Sequence, residues 1–269
     1  MGLAALAAGT AAPAGEAARR GPTIVSLNPC ADAILAEVAA PGQLRAISHY
    51  SRDPSSSSMD LAVARAIPAV GDSVEEVAAL RPDLVVTGTF TAPATLDAFA
   101  RLGIRVEQVG IAATVPESEA QVRWLAALVG QRKRGEALVA RIEAALAGAS
   151  PPDSQRPSAI VWQSGGMVPG PNTLIADLLR RTGFANAAAA RGLRQADLLP
   201  LEALLADPPR LILAAGHAFT GEDRMLAHPA LARLRGTRTE RLDPALLWCG
   251  GPTIIRTSRR LAQIRRSVL

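Results

Sequence analysis

Aromatic residues are scarce in this chain: four Phe, three Trp and one Tyr among 269 residues. Hydrophobic residues still reach 49%, so a core exists and must be mainly aliphatic, which excludes disorder as the main state. Two cysteines are too few for a disulfide-stapled miniature scaffold. Three histidines and no His-rich tract argue against a dedicated metal site, which calls for converging His, Asp and Glu ligands. No apolar run is long enough to span a bilayer. Lysine is nearly absent, since Lys133 is the single lysine and the other 28 of the 29 basic residues are arginine. A net charge of +5 would ordinarily raise nucleic acid as a partner. Arginine use this one-sided, beside long alanine runs, reads instead as compositional bias, and no nucleic-acid partner is expected.

Catalytic signatures are missing too. There is no GxxxxGK[ST] phosphate loop, GxSxG elbow or HExxH pair. Gly165–Pro171 follows a strand but lacks GxGxxG spacing and reads as a rigid loop. The chain is expected not to be an enzyme, to need no cofactor and to hold no metal of its own. An α/β enzyme without a recognisable motif is the alternative of a different class.

Residues 1–20 hold a short Ala/Leu stretch followed by small residues, with TAAPA resembling a cleavage site. No positive charge precedes Leu3, so this reads as an export signal that is shortened or wrongly started; a disordered tail of a cytosolic protein is the other reading.

From Thr23 onward, β-branched runs alternate with helical ones. Strands are expected at Thr23–Leu27, Leu44–Ser48, Asp83–Thr87, Arg105–Val109, Ser158–Gln163, Arg210–Ala214 and Arg238–Leu242. Helices are expected between them, near 31–39, 73–80, 93–102, 117–129, 173–182, 201–206, 226–234 and 253–267. This alternation predicts parallel, doubly wound sheets. One segment breaks it. At 133–149, Ala137, Leu138, Ile142 and Leu146 recur at helical spacing straight after the preceding helix, and Ser150–Pro157 then reads as a linker. The organisation is therefore an N-terminal segment 1–20, one lobe over 21–130, a connecting helix over 131–150 and a second lobe over 151–269.

The two lobes share a unit. Val74–Val86 and Leu201–Leu213 each open a short helix with a Glu at the second position, Glu75 and Glu202. A Pro seven residues later ends the helix, and a buried strand follows. A common αβ turn occurring twice would look the same.

Five aromatics, Tyr50, Phe90, Trp162, Phe219 and Trp248, fall at or just beyond the C-terminal end of an expected strand. Ligands of open α/β sheets bind outside those ends, so the five are expected to wall a cleft between the lobes. His49, Tyr50 and Arg52 add an imidazole, a phenol and a guanidinium, although His49 and Tyr50 singly also suit capped loop residues. His217, at another strand end, could face His49. Cys30 and Cys249 fall one in each lobe, in loops at the cleft. Two separate, partly buried thiols are expected; an exported compartment would also permit a disulfide. Arg256, Arg259, Arg260, Arg265 and Arg266 on the last helix are expected to form a solvated face.

Together, Thr23–Pro29, Ile47–Pro54, the "E…L.PDLV" core of Val74–Val86, the helix near 133–149 and the echo at Leu201–Leu213 resemble the periplasmic substrate-binding proteins of ABC importers for iron complexes and cobalamin. The resemblance spans residues 22–269. It implies two Rossmann-like lobes with parallel sheets joined by a single long α-helix, with the ligand cleft between them. It also implies a periplasmic monomer that delivers a metal-containing chelate to the permease subunits of the inner membrane. The family's docking carboxylates, one per lobe, correspond to Glu75 and Glu202. Ligand contacts would come from His49, Tyr50, Arg52, Phe90, Trp162 and Trp248. Tyr50 lies where cobalamin binders place a cleft tyrosine, and haem binders use a tyrosine ligand. Ferric siderophores, being anionic, would favour arginines such as Arg52.

Overall fold

Each of the seven expected strands forms, with its ends shifted by no more than one residue. The computed structural model describes residues 21–194, 197–216 and 224–269; the signal-like segment 1–20, His217 and Phe219 lie outside them. The first lobe contains β1 (Ile24–Ser26), α1 (Pro29–Val38), β2 (Leu44–Ser48), α2 (Leu61–Ala66), β3 (Ala69–Val70), α3 (Val74–Ala79), β4 (Leu84–Gly88), α4 (Pro93–Arg101), β5 (Arg105–Val109) and α5 (Val115–Leu128). Its sheet has the order β3-β2-β1-β4-β5, and all its pairs are parallel. The connecting helix is α6 (Arg132–Ala149).

The second lobe follows with β6 (Ser158–Gln163), β7 (Met167–Val168), α7 (Leu174–Arg181), β8 (Ala185–Asn186), α8 (Ala187–Ala190), β9 (Asp197–Leu198), α9 (Leu201–Ala206), β10 (Leu211–Ala215), α10 (Pro229–Ala232), β11 (Arg238–Arg241) and α11 (Thr253–Val268). Its sheet, ordered β11-β10-β6-β8, is also parallel. The expected loop at Gly165–Pro171 contains β7, which pairs antiparallel with β9. The short elements β3, β7, β8, β9, α2 and α8 were not expected. They are two to six residues long, too short to show a period, and α2 and α8 rest on side-chain caps from Asp60 and Asn186.

Period-2 alternation explains how two lobes share a core. Ile24, Leu84 and Val86 face one way, and so do Ala159, Val161, Leu211 and Leu213; all belong to one continuous cluster with α1, α5, α6, α7 and α11. Val25 and Val85 face the other way, against Val77 and Phe99. On the second sheet, Ile160, Trp162 and Ile212 pack with Leu204 and Leu231. The helices α3 and α9 thus cover equivalent outer faces, and each carries its glutamate, exposed, as its second residue.

The last helix departs from the expected solvated face at one residue. Arg265 is buried and holds the linker through Asp153 Oδ1 at 2.6 Å and Gln155 O at 2.9 Å. Arg256 donates to Ser58 O, and Arg260 to Arg241 O at 3.0 Å. Arg256, Arg259 and Arg266 remain exposed.

The cysteines are not separate thiols. Cys30 and Cys249 form a disulfide with a Cα–Cα distance of 5.0 Å. The two loops meet because the segment after β11 crosses to the first lobe, an approach that 219 residues of sequence separation concealed.

Candidate functional site

The strand order of the first sheet reverses between β1 and β4, and such a switch point opens a crevice at the carboxyl ends. Asn28 leaves β1 and caps α1, its Oδ1 accepting from Cys30 N and Ala31 N at 3.0 Å each. Pro29 follows at the first turn, where its missing N–H costs nothing. Beside it β4 ends at Gly88, where a Cβ would sit 2.9 Å from Asn28 Nδ2. Phe90 comes next and is 86% exposed.

The wall after β5 is held from α5. Gln121 Nε2 donates to Gly110 O at 2.7 Å. Thr114 caps α5, with Glu117 N bonded to its Oγ1 at 3.3 Å, and Glu117 Oε2 reaches back to Ala113 N at 2.7 Å, one residue before the cap. These bonds fix the Ile111–Ala113 segment and leave Ile111 68% exposed.

Two cavities meet at Trp248, which is 50% exposed. A cleft of about 580 Å³ lies between the lobes, lined by Ile111 and Ala113 of the first and by Gln163, Met167, Asn172 and Trp248 of the second. A smaller cavity of about 90 Å³ that also borders Trp248 is lined by Asn28, Cys30, Phe90 and Gln121. The larger volume falls within the range of small-molecule sites. None of the described residues lining it is charged. Among the described residues no group of three or more His, Cys, Asp or Glu side chains converges on one point.

The expected site residues separate into three groups. Phe90 and Trp248 are brought together. His49 and Tyr50 stand one strand further out, on a 3-10 turn after β2; their rings lie 3.9 Å apart and Tyr50 is 44% exposed, but neither lines these two cavities. Arg52 and Trp162 are committed elsewhere. The Arg52 guanidinium donates to the carbonyls of Ala64, Arg65 and Ile67 at the end of α2, where a cation suits the helix C-terminus. Trp162 is 0% exposed, and its Nε1–H reaches Leu199 O at 3.0 Å. A position at the end of a strand does not decide which sheet face a side chain takes, and Trp162 takes the face turned into the second-lobe core.

Ile111 and Met167 also line the cleft, and an aromatic signal at strand ends does not reveal them; Ile111 follows β5 by the same rule that selects Phe90. Asp32 was missed as well. It is fully buried on α1, and its Oδ2 accepts from Ser48 N at 2.9 Å and Ser51 Oγ at 2.6 Å, while Oδ1 makes no hydrogen bond. Burial pushes its pKa up to about 7, against the opposing pull of Ser26, Ser51 and the Ser48 N–H.

The lobes are tied at a second place. Asp177 Oδ2 of α7 accepts from Val115 N at 3.0 Å and Arg181 Nε at 2.9 Å. Burial opposes its charge, but the Val115 N–H, Arg181 and Arg180 together hold its carboxyl below the usual range.

A family model described as periplasmic binding protein matches residues 24–242. The chain belongs to this family. Membership places it among the substrate-binding components of ABC importers, which carry solutes and are not enzymes. No curated protein sequence matches the chain. Among solved structures, a periplasmic haem-binding protein from Pseudomonas aeruginosa is 24% identical, with 90% of this chain and 92% of that one covered and a TM-score of 0.70. The periplasmic haem-binding protein RhuT from Roseiflexus sp. RS-1 is 22% identical over 92% and 98%, with a TM-score of 0.72. The periplasmic vitamin B12 binding protein BtuF of Vibrio cholerae is 17% identical over 93% and 98%, with a TM-score of 0.70. These likenesses establish the shared two-lobed fold. No helix among the described residues is long and apolar enough to cross a membrane.

Proposed function

We propose that this periplasmic binding protein captures a metal-containing chelate between its lobes and presents it to a membrane permease. One observation carries the reading: Trp248 borders two cavities at the carboxyl ends of the sheets, in a cleft whose described lining is uncharged. Such a wall suits a large, flat and partly apolar ligand, with Gln163 and Asn172 supplying amide contacts at its edge. It suits an anionic ferric siderophore less well, because Arg52 is occupied with the end of α2. A metal macrocycle, a corrinoid or a haem, is therefore favoured, in keeping with the haem and vitamin B12 binders that share the fold. Tyr50 and His49 would reach it as the lobes close. The site of action is the periplasm, and the protein works as a monomer.

The exposed Glu75 and Glu202 are the docking carboxylates. Each occupies the same place in a six-residue helix on the outer face of its sheet, so two anchors would fix the cleft over the permease. Charge pairing there sets register and encounter rate more than affinity. The test is a visible-absorption titration with cyanocobalamin, haemin and a ferric hydroxamate. A saturable change with one macrocycle supports the reading, and none with any of the three overturns it.

A further inference from the structure

The loop that carries Trp248 is fastened to the lobe to which it does not belong in sequence. At Cys249 the link is the disulfide to Cys30 on α1. Two residues on, Gly251 N–H donates to Ser118 Oγ of α5 at 2.7 Å, in a buried position. Upstream, Ser58 Oγ of the first lobe donates to Ala245 O at 2.8 Å, and downstream Thr253 Oγ1 donates to Ser58 O at 3.4 Å. The chain passes so close that side chains are excluded: a Cβ on Gly250 would collide with Ser118 Oγ, and one on Gly251 would lie 2.6 Å from Ile34 Cγ1. Gly251 also adopts φ of +59°, which favours glycine.

We infer that the Cys30–Cys249 disulfide positions Trp248 as part of the first lobe, holding it beside Phe90 and Ile111 whether or not the second lobe moves. A ligand then meets a wall already in place, and its binding does not have to order that wall, which is how preorganisation raises affinity. Without the disulfide, the Ser118 bond and the Ser58 contacts remain as individually weak hydrogen bonds, and the loop opens. The inference rests on the cleft being the ligand site, and the two can fail separately.

The test compares the full-length wild type with Cys30→Ser/Cys249→Ser, using hydrogen exchange of the Trp248–Gly251 amides without ligand. The expected result is exchange at least about ten-fold faster in that segment with the sheet amides unaltered, as local opening predicts. Unchanged exchange overturns the inference. If the variant fails to fold, wild type reduced with dithiothreitol and alkylated under native conditions serves the same comparison. Haemin and cyanocobalamin titrations form the second arm. The probe retained by the wild type should bind about ten-fold more weakly without the disulfide, through a faster off-rate. Faster exchange with unchanged affinity also overturns the positioning role. A wild type that binds neither probe counts against the ligand reading above, and loop exchange then decides the inference alone.

Discussion

Asp32 Oδ2 accepts a hydrogen bond from Ser51 Oγ at 2.6 Å, and the same oxygen takes the Ser48 N–H. These two serines bracket His49 and Tyr50, so one buried carboxyl on α1 holds both ends of the turn that presents them. The turn's geometry is therefore built from inside the first lobe, with the two rings left to point outward.

That carboxyl makes stability depend on pH. Its folded pKa of about 7 stands above the ordinary 3.8, so between those values the folded state holds a proton that the unfolded state has released. Unfolding free energy should fall as pH rises through that window, by up to about 1.4 kcal/mol per pH unit from this group, and level off above it. Asp32→Asn, which can still accept both bonds, should remove that part of the slope and gain on the wild type as pH rises. Urea unfolding at pH 5, 6, 7 and 8 measures it; a variant curve parallel to the wild type would contradict the assignment.

Trp162 and Trp248 should separate stability from binding. Trp162→Ala empties a fully buried site and should cost about 3–5 kcal/mol of stability. Trp248→Ala removes a half-exposed wall, and should leave the thermal midpoint within a few degrees while weakening ligand binding. Denaturation and ligand titration of both variants check this. Equal effects on both properties would mean that the two indoles are not divided between core and cleft.

At the crossing loop, Gly250→Ala should be destabilising by about 1–3 kcal/mol through overpacking against Ser118. Adding Ser118→Gly should recover part of that loss, although it also removes the hydroxyl bonded to Gly251. A double-mutant cycle reads the coupling. Strictly additive losses would mean that the loop does not approach α5 this closely.

Glu75→Arg with Glu202→Arg should abolish uptake of the ligand in cells that depend on this importer, with chelate affinity unchanged in the purified protein. Transport at the wild-type rate would remove both residues from the docking surface.

Much of the fold was legible because β-branched runs and helical spacing are local. Val85 and Ile160 announce strands, and Leu138, Ile142 and Leu146 announce the connecting helix. The repeat around Glu75 and Glu202 was legible for the same reason, since helix, proline and strand lie within thirteen consecutive positions. The site was legible in part. Phe90 and Trp248 follow from the strand-end rule, whereas Trp162 shows its limit, because which face a side chain takes depends on the partner sheet. Arg52 looked like a ligand contact until α2, too short to leave a pattern, supplied its carbonyls. The Cys30–Cys249 link and the Asp32 bonds depend on non-local approach, which no spacing encodes.

The central claim is that Trp248 walls the cleft in which a metal macrocycle binds. Tryptophan fluorescence of the wild type and of Trp248→Phe, titrated with haemin and with cyanocobalamin, tests it directly. The account predicts saturable quenching by one of them in the wild type, with most of the quenched signal missing from Trp248→Phe. Equal quenching in both proteins, or none in the wild type, would contradict it.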